Sequence, residues 1–543
     1  FWLKFESLPF FNLAMVEGET LLQQLTETAA RNFGDKIAIQ SEGKTGTGFV
    51  ASSYDDFHVL VLRVASALVA SGVEKMDRVA WLMPNCLEAV ALTCACYRIG
   101  AISVPINVRY AAPEVEYMVD KVKAKILFLT AQKMNILEEF LQIPRPVVAI
   151  RVPSGDPATV WVGHETWESF LQLEGDGKNL VRPCAPEDPA LILFTSGTTG
   201  FPKGVLHSHG SCWAAITNSA EALGLQSDDV VLVGKPITHA GGLQTQLLPT
   251  LMKGGQAVLA MIPSPTQAVE LIQTFGVTVY AMLASSLLDF VENLERNDAP
   301  NLSLRRVIGS GDSVPLKLQS RFLELFGWPV LEGCGITEIG CYYATQPLEG
   351  GKLGSIGLPT PGTRLRLVED GKDVPLGCAG EVLIKTPSLP LGYWEDLDAT
   401  VSLFQDGWMR TGDLARQDED GFIWFVGRRK LIIIRRGSNI APAAVERVLA
   451  NHPKVHSSVV VGVPDELDGE VPVAWIVPKQ ELPTEAELEN YVSKHLAAHE
   501  MPLRYWLRTE MPLNSVGKFD RVSLQKEASS KPNRLTNAQW GGA

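Results

Sequence analysis

Apolar positions recur at helical spacing over Leu21–Phe33, Tyr54–Ser71 and Leu87–Ile99. Between them lie short, nearly continuous apolar runs at Ile37–Gln40, Arg78–Leu82, Ile102–Ile106 and Lys125–Leu129. Alternation of these two periods predicts helices interleaved with strands, hence an α/β architecture with largely parallel sheets. Gly100 stops the third helix. The alternation resumes with strands at Val230–Val233, Ala257–Ala260, Val277–Met282 and Arg306–Ile308, and with helices near Gln244–Met252 and from Pro265. Past Gly354 the pattern changes to short strands between Gly and Pro turns, as at Thr363–Val368 and Glu381–Lys385, which predicts a smaller β-rich subdomain. From Arg429 a compact α+β unit follows: LIIIRR, a helix at Ala443–Ala450, the runs VVVGV and VPVAWIV, and a helix at Glu485–His499.

The expected organisation is an extension at 1–19, a large N-terminal domain at 20–428, a small C-terminal domain at 429–527 and a polar tail at 528–543. The large domain is expected to hold two parallel-sheet α/β subdomains besides the β-rich one. A chain of 543 residues is too long for a single core. With 46% hydrophobic and 20% charged residues it is an ordinary globular composition. A formal charge of −13 argues against a nucleic-acid scaffold, which needs clustered Lys and Arg. The eight cysteines show no CxxC pairs and no metal spacing, as expected of reduced thiols in a cytoplasmic protein. No apolar run reaches the length of a membrane span. Phe1–Gly18 is aromatic-rich without a secretory layout; it is either an extension ahead of a start at Met15 or an amphipathic membrane-touching segment.

The chemistry centres on LILFTSGTTGFPKG, Leu191–Gly204. Leu191–Thr195 reads as a buried strand and Val205–His209 as another, so the loop between them joins two strands rather than opening a helix. In that loop Ser196, Thr198 and Thr199 alternate with Gly197 and Gly200, and Lys203 closes it. Glycines let backbone N–H groups approach a ligand closely, hydroxyls add donors, and the lysine adds a point charge. Such a loop is built to hold phosphate, yet its spacing differs from the GxxxxGK[ST] loop of nucleotide hydrolases. Further on, EGCGITE (Glu332–Glu338) ends a glycine turn in adjacent hydroxyl and carboxylate groups, suited to phosphate and Mg²⁺.

The string TSGTTGFPKG resembles the signature loop of the acyl-adenylate-forming enzymes, the superfamily of acyl-CoA synthetases, adenylation domains and firefly-type luciferases. That resemblance extends over about Thr20–Lys526, with further motifs in the family order. It implies that Thr195, Ser196, Gly197, Thr198, Thr199 and Lys203 contact the β- and γ-phosphates of ATP. EGCGITE is similar to the family's QGYGxTE, which implies nucleotide contact along Gly333, Cys334 and Gly335, the α-phosphate on Thr337 and magnesium on Glu338. Cys334 replaces the aromatic residue that stacks on adenine, a loss of about 0.5–1.5 kcal/mol beyond area burial. WMRTGD (Trp408–Asp413) resembles YRTGD, with Asp413 on the ribose diol, and GRRK implies Arg428 on ribose or phosphate and Lys430 at the interdomain hinge. PLNSVGKFDR (Pro512–Arg521) matches PxxxxGKxxR, which makes Lys518 the catalytic cation bridging substrate carboxylate and α-phosphate. PITHAGG places His239 beside the acyl pocket. GSGDS (Gly309–Ser313) implies a loop between adenine and acyl chain, with Gly311 and Asp312; Asp312 caps the loop or reads a polar substituent or the adenine amine.

The implied activity is an ATP-dependent, AMP-forming acid–CoA ligase of the fatty-acid or aromatic-acid type, using ATP, Mg²⁺ and CoA. In the family the small domain rotates about the hinge after adenylation, so that a face including Gly437–Ile440 completes the thiol channel. The alternative is an acyl-AMP ligase serving an acyl carrier protein or an amine. His239 stands where an amino-acid adenylation module would carry an Asp. Gly241, Gly242, Gly309, Gly311 and Gly333 suggest pocket walls of little bulk, and no Lys or Arg in these loops asks for a second carboxylate. A neutral, fairly large acid is therefore expected.

Overall fold

A computed structural model describes residues 22–43, 48–130, 148–152, 165–173, 182–195, 202–297, 302–311, 313–436, 438–465, 467–514 and 517–530. The expected extension at 1–19 lies outside these residues, as does most of the polar tail. Helices form where capping and periodicity agree. Tyr54–Ala70, for example, starts on Ser53, whose hydroxyl accepts from the Asp56 amide, and buries Phe57, Val61, Val64 and Leu68. Leu87–Ile99 ends at Gly100, left-handed at φ 71°.

The strands assemble into four sheets. A nine-stranded sheet has the parallel core Ile37–Glu42, Gln256–Leu259, Val230–Val233, Val279–Leu283, Arg306–Ser310 and Leu331–Gly335, side by side in that order. An eight-stranded sheet is built around Arg78–Leu82, Ile102–Pro105, Ile126–Thr130 and Pro189–Thr195. One hydrophobic core joins the facing sides of both sheets through the helices Leu25–Phe33, Tyr54–Ala70, Leu87–Ile99, His209–Ala222 and Leu248–Lys253. The outer faces are covered by Ala112–Val122 on the eight-stranded sheet and by Pro265–Phe275, Ala284–Arg296 and Leu316–Phe326 on the other. Both sheets are thus buried on both faces, which is why their strands read as continuous apolar runs.

The β-rich region forms a six-stranded antiparallel sheet including Arg364–Glu369, Gly380–Lys385, Trp408–Gln417 and Ile423–Arg428. A five-stranded sheet from Ile433 to Leu507 carries helices Pro442–Ala450 and Glu485–Val492 on one side and Arg521–Ser530 on the other. Among the described residues no helix is long and apolar enough to cross a membrane.

Some expectations are corrected. The second predicted C-terminal helix stops at Val492 rather than His499. Leu488 and Val492 are its buried anchors, whereas Lys494, His495 and His499 beyond them are polar. The helix near Gln244 begins with a wider turn, Leu243–Leu247, in which Leu248 N–H bonds Leu243 O. Pairings distant in sequence were not legible either: Ile39 lies opposite Ala257, and Gly392–Tyr393 returns to pair with Val205 and Leu206.

Candidate active site

Loops leaving the carboxyl ends of the parallel strands in the nine-stranded sheet meet one another, through Lys235 with Ser310 and His239 with Thr337, at the place where open α/β sheets usually hold a ligand cleft. Val230–Val233 runs into Lys235 and His239, Arg306–Ser310 into Gly311, and Leu331–Gly335 into Thr337 and Glu338. Asn85, arriving from the other α/β unit, pins the first of these exits. Its Nδ2 lies 3.1, 2.9 and 2.8 Å from the carbonyls of Val233, Lys235 and Ala260, and its Oδ1 accepts from Ile237 N–H at 2.8 Å. Asn85→Ala removes the partner of the Lys235 and Ala260 carbonyls and of Ile237 N–H, while Val233 O keeps Ala260 N–H, and is expected to lower unfolding free energy by about 2–4 kcal/mol. Urea denaturation measures it; a loss below ~0.5 kcal/mol would show that water replaces the amide.

Thr195 and Lys203 face each other where Pro189–Thr195 pairs antiparallel with Lys203–Ser208, so the glycine-rich loop does join two strands. Ser196, Gly197, Thr198 and Thr199 fall outside the described residues. Lys203 Nζ is 3.6 Å from Asp396 and 5.3 Å from the centre of the Tyr393 ring, and Tyr393 Oη donates to Glu338 Oε1 at 2.7 Å. Tyr393 and Asp396 were not singled out in the sequence, because only the return of Gly392–Tyr393 to the eight-stranded sheet brings them here.

Thr337 is held between histidines. His207 Nε2 lies 3.0 Å from its carbonyl, so that nitrogen carries the proton. His239 Nδ1 accepts from Gly241 N–H at 3.1 Å, which places the ring proton on Nε2, 3.4 Å from Thr337 Oγ1. Burial pushes the His207 and His209 imidazoles down to about 4. Burial, with Lys518 and Lys235 nearby, pushes His239 down to about 3. All are neutral near pH 7. Unfolding returns each to about 6.5, so the unfolded chain takes up protons that the fold refuses as pH falls from about 6.5 toward 4. Each histidine then subtracts stability with a slope of up to about 1.4 kcal/mol per pH unit. A denaturation midpoint that stays level between pH 7 and pH 5 would contradict this.

Asp413 and Arg428 sit opposite one another on paired strands, with Arg428 Nε 2.6 Å from Asp413 Oδ1. Tyr343 Oη donates to Asp413 Oδ2 at 3.0 Å. Burial raises the Asp413 carboxyl, and Arg428 opposes that shift. Cys334 is adjacent, its thiol pushed up to about 12 by burial and so protonated. Glu332, overlooked in the sequence, is buried and accepts from Val314 N–H at 3.0 Å and Gln319 Nε2 at 2.7 Å, which anchors the loop after Gly311. Asp312 itself lies outside the described residues.

Lys518 reaches this cleft from the C-terminal unit. Gly517, at φ 84°, makes the turn, and the Lys518 Cε lies 3.4 Å from where a Cβ on Gly311 would stand. Lys430 is exposed on the short turn Arg429–Leu431, between the six- and five-stranded sheets. Gly437 lies outside the described residues; Ser438–Ile440 is an edge strand.

The glycine-walled pocket is corrected in part. A Cβ on Gly242 would stand 2.3 Å from Pro236 O, on Gly309 2.5 Å from Val314 Cγ2, and on Gly333 2.8 Å from Tyr342 Cδ1. At these positions the missing side chain makes room for a protein neighbour, so its absence does not widen the pocket. A Cβ on Gly311 would likewise meet Leu283 Cδ2 at 2.7 Å, whereas one on Gly241 would stand 3.3 Å from Lys235 Cδ and 3.4 Å from His239 Nδ1, so of these glycines Gly241 is the least crowded.

The family model of the AMP-binding enzyme matches residues 26–394, and that of the AMP-binding enzyme C-terminal domain matches 444–518. The chain belongs to the AMP-binding enzyme family. It is 33% identical over 505 residues to an indoleacetate–CoA ligase of Aromatoleum aromaticum, covering 92% of this chain and 98% of that one. It is also 33% identical over 500 residues to a 2-succinylbenzoate–CoA ligase of Bacillus cytotoxicus, covering 92% and 97%. A crystal structure of an anthranilate CoA ligase with anthranoyl-AMP superposes with a TM-score of 0.87 at 24% identity, covering 95% and 99%, and shows the fold. This AMP-binding enzyme is an acid–thiol ligase that uses ATP and CoA.

Proposed function

We propose that the acid is aromatic and that the cleft residues divide the reaction as follows. A carboxylate oxygen of the acid bonds to the α-phosphorus of ATP as the bond to the β-phosphate oxygen breaks, giving acyl-adenylate and pyrophosphate. Lys518 holds the attacking carboxylate and the α-phosphate together, so that positioning and charge stabilisation supply the rate. Lys203 and the glycine-rich loop neutralise the departing phosphates, Thr337 donates to the α-phosphate, and Asp413 with Arg428 binds the ribose. The thiol sulfur of CoA then bonds to the acyl carbon and AMP leaves, after the C-terminal domain has turned about Lys430 and withdrawn Lys518. His239, neutral with its proton on Nε2, borders the carboxylate path.

Magnesium fits the donor set. Glu338 is a half-buried carboxylate oriented by Tyr393, and Mg²⁺ takes one or two carboxylates together with substrate phosphates. When bound it neutralises phosphate charge. Fatty acids, also expected from the sequence, give way to aromatic ones because the relatives are named for indoleacetate and 2-succinylbenzoate.

The observation that carries the reading of the cleft is the approach of Lys518 to Gly311, beside Lys235 and His239, from the turn that precedes the C-terminal helix Arg521–Ser530. Mass spectrometry of products from Mg-ATP, CoA and panels of aryl and fatty acids tests it. Aryl-CoA is expected. Fatty acyl-CoA alone would overturn the substrate class, and acyl-AMP without thioester would favour a carrier-protein or amine acceptor.

A further inference from the structure

Lys235 has no role in the chemistry above, yet it is a cation only 7% exposed inside the cleft. It ends the apolar run Val230–Val233, where a charge is costly unless something compensates it. Its ammonium donates to Ser310 Oγ, its sole hydrogen-bond partner among the described residues, none of which offers it a carboxylate. An ammonium carries three donors, and the remaining ones meet no acceptor among the described residues. Burial and the nearby Lys518 push it down to about 7. A bound oxygen acceptor would relieve both deficits.

Surrounding atoms make this a built place rather than a stray side chain. Lys235 Cδ lies 3.3 Å from the position of a Cβ on Gly241, so the missing side chain leaves room for it. The Gly241 carbonyl is capped by Thr245 Oγ1 at 2.6 Å and Gln246 Nε2 at 2.8 Å, while the buried Gln246 Oε1 has no partner. Asn85 grips the Lys235 carbonyl, so the lysine stands on a fixed strand end. Lys518, by contrast, is delivered by the C-terminal unit and already serves the reacting carboxylate.

We propose that Lys235 is a specificity residue that binds an oxygen acceptor, anionic or neutral, carried on the body of the acid apart from its reacting carboxylate. This rests on reading the cleft as the acid site, and it adds an oxygen acceptor to the neutral, fairly large acid expected from the glycine-rich loops. The acceptor is either a second carboxylate or a phenolic or keto oxygen. Both would meet the same ammonium.

The test is calorimetric binding to the full chain in the presence of AMP, which needs no turnover. Matched pairs are benzoate against 4-hydroxybenzoate, and 3-phenylpropanoate against its ring-carboxylated and ring-acetylated analogues. Wild type is expected to bind at least one acceptor-bearing acid more tightly than its parent by about 30-fold or more. Lys235→Met, which keeps shape and drops charge, should bring that ratio to within about 3-fold while parent acids bind as before, and Lys235→Arg should restore part of it. The member preferred separates anionic from neutral acceptors. Equal weakening of both members of each pair would place Lys235 on the reacting carboxylate and overturn the inference, as would a wild type that does not discriminate. If discrimination depends on Lys235 but no aryl acid yields acyl-AMP, the inference stands and the aryl-CoA ligase reading falls.

Discussion

Lys518→Ala is expected to slow acyl-adenylate formation by about 100- to 1,000-fold, the cost of removing one preorganised group at a developing charge. Thioester formation from supplied acyl-AMP and CoA should proceed at close to the wild-type rate. The reason is positional. Lys518 comes to the cleft on the turn made by Gly517, against Leu283 and Ile262, and not on the sheet that carries His239, Gly311 and Thr337. A contact made by one separately packed unit can serve one half-reaction and be absent from the other. Pyrophosphate release and thioester yield, assayed separately, decide the matter. Equal losses in both would mean that Lys518 holds the fold of the cleft, and unchanged adenylation would remove it from the chemistry altogether.

Glu338→Gln is expected to lower kcat/KM for Mg-ATP by about 100-fold, corresponding to about 3 kcal/mol of lost charge stabilisation. The amide retains an oxygen for Tyr393 Oη, so thermal stability should change little. The Mg²⁺ concentration for half-maximal activity should rise, and that shift separates a metal ligand from a residue that only orients Tyr393. Tyr393→Phe removes the hydroxyl and leaves the carboxylate charge, so its Mg²⁺ dependence should move much less. Identical Mg²⁺ curves for wild type and Glu338→Gln would place the metal elsewhere.

Much of the fold was legible because helix and strand periods differ and the strands are buried on both faces. The runs at Arg78–Leu82, Val230–Val233 and Arg306–Ile308 announced themselves as interior strands. The loop at Leu191–Gly204 read as a strand–loop–strand unit, as the pairing of Thr195 with Lys203 bears out. The pocket glycines misled for a physical reason. A missing side chain serves close packing as well as ligand access, and only the neighbours of Gly242 and Gly309 reveal which.

By itself the sequence determined the interleaved elements, the family and the order of its motifs, since these depend on local periodicity and on residue types at short spacing. The tertiary structure alone decided what meets what. Lys203 with Asp396, Glu338 with Tyr393, His239 with Thr337, and Asn85 with the Lys235 loop are contacts between segments far apart in the chain. It also buried Lys235, which follows an apolar run, against Ser310 from a distant strand. Whether a charge ends in water or inside depends on which strands flank it, and strand order in a sheet is set by long-range packing that no local pattern records.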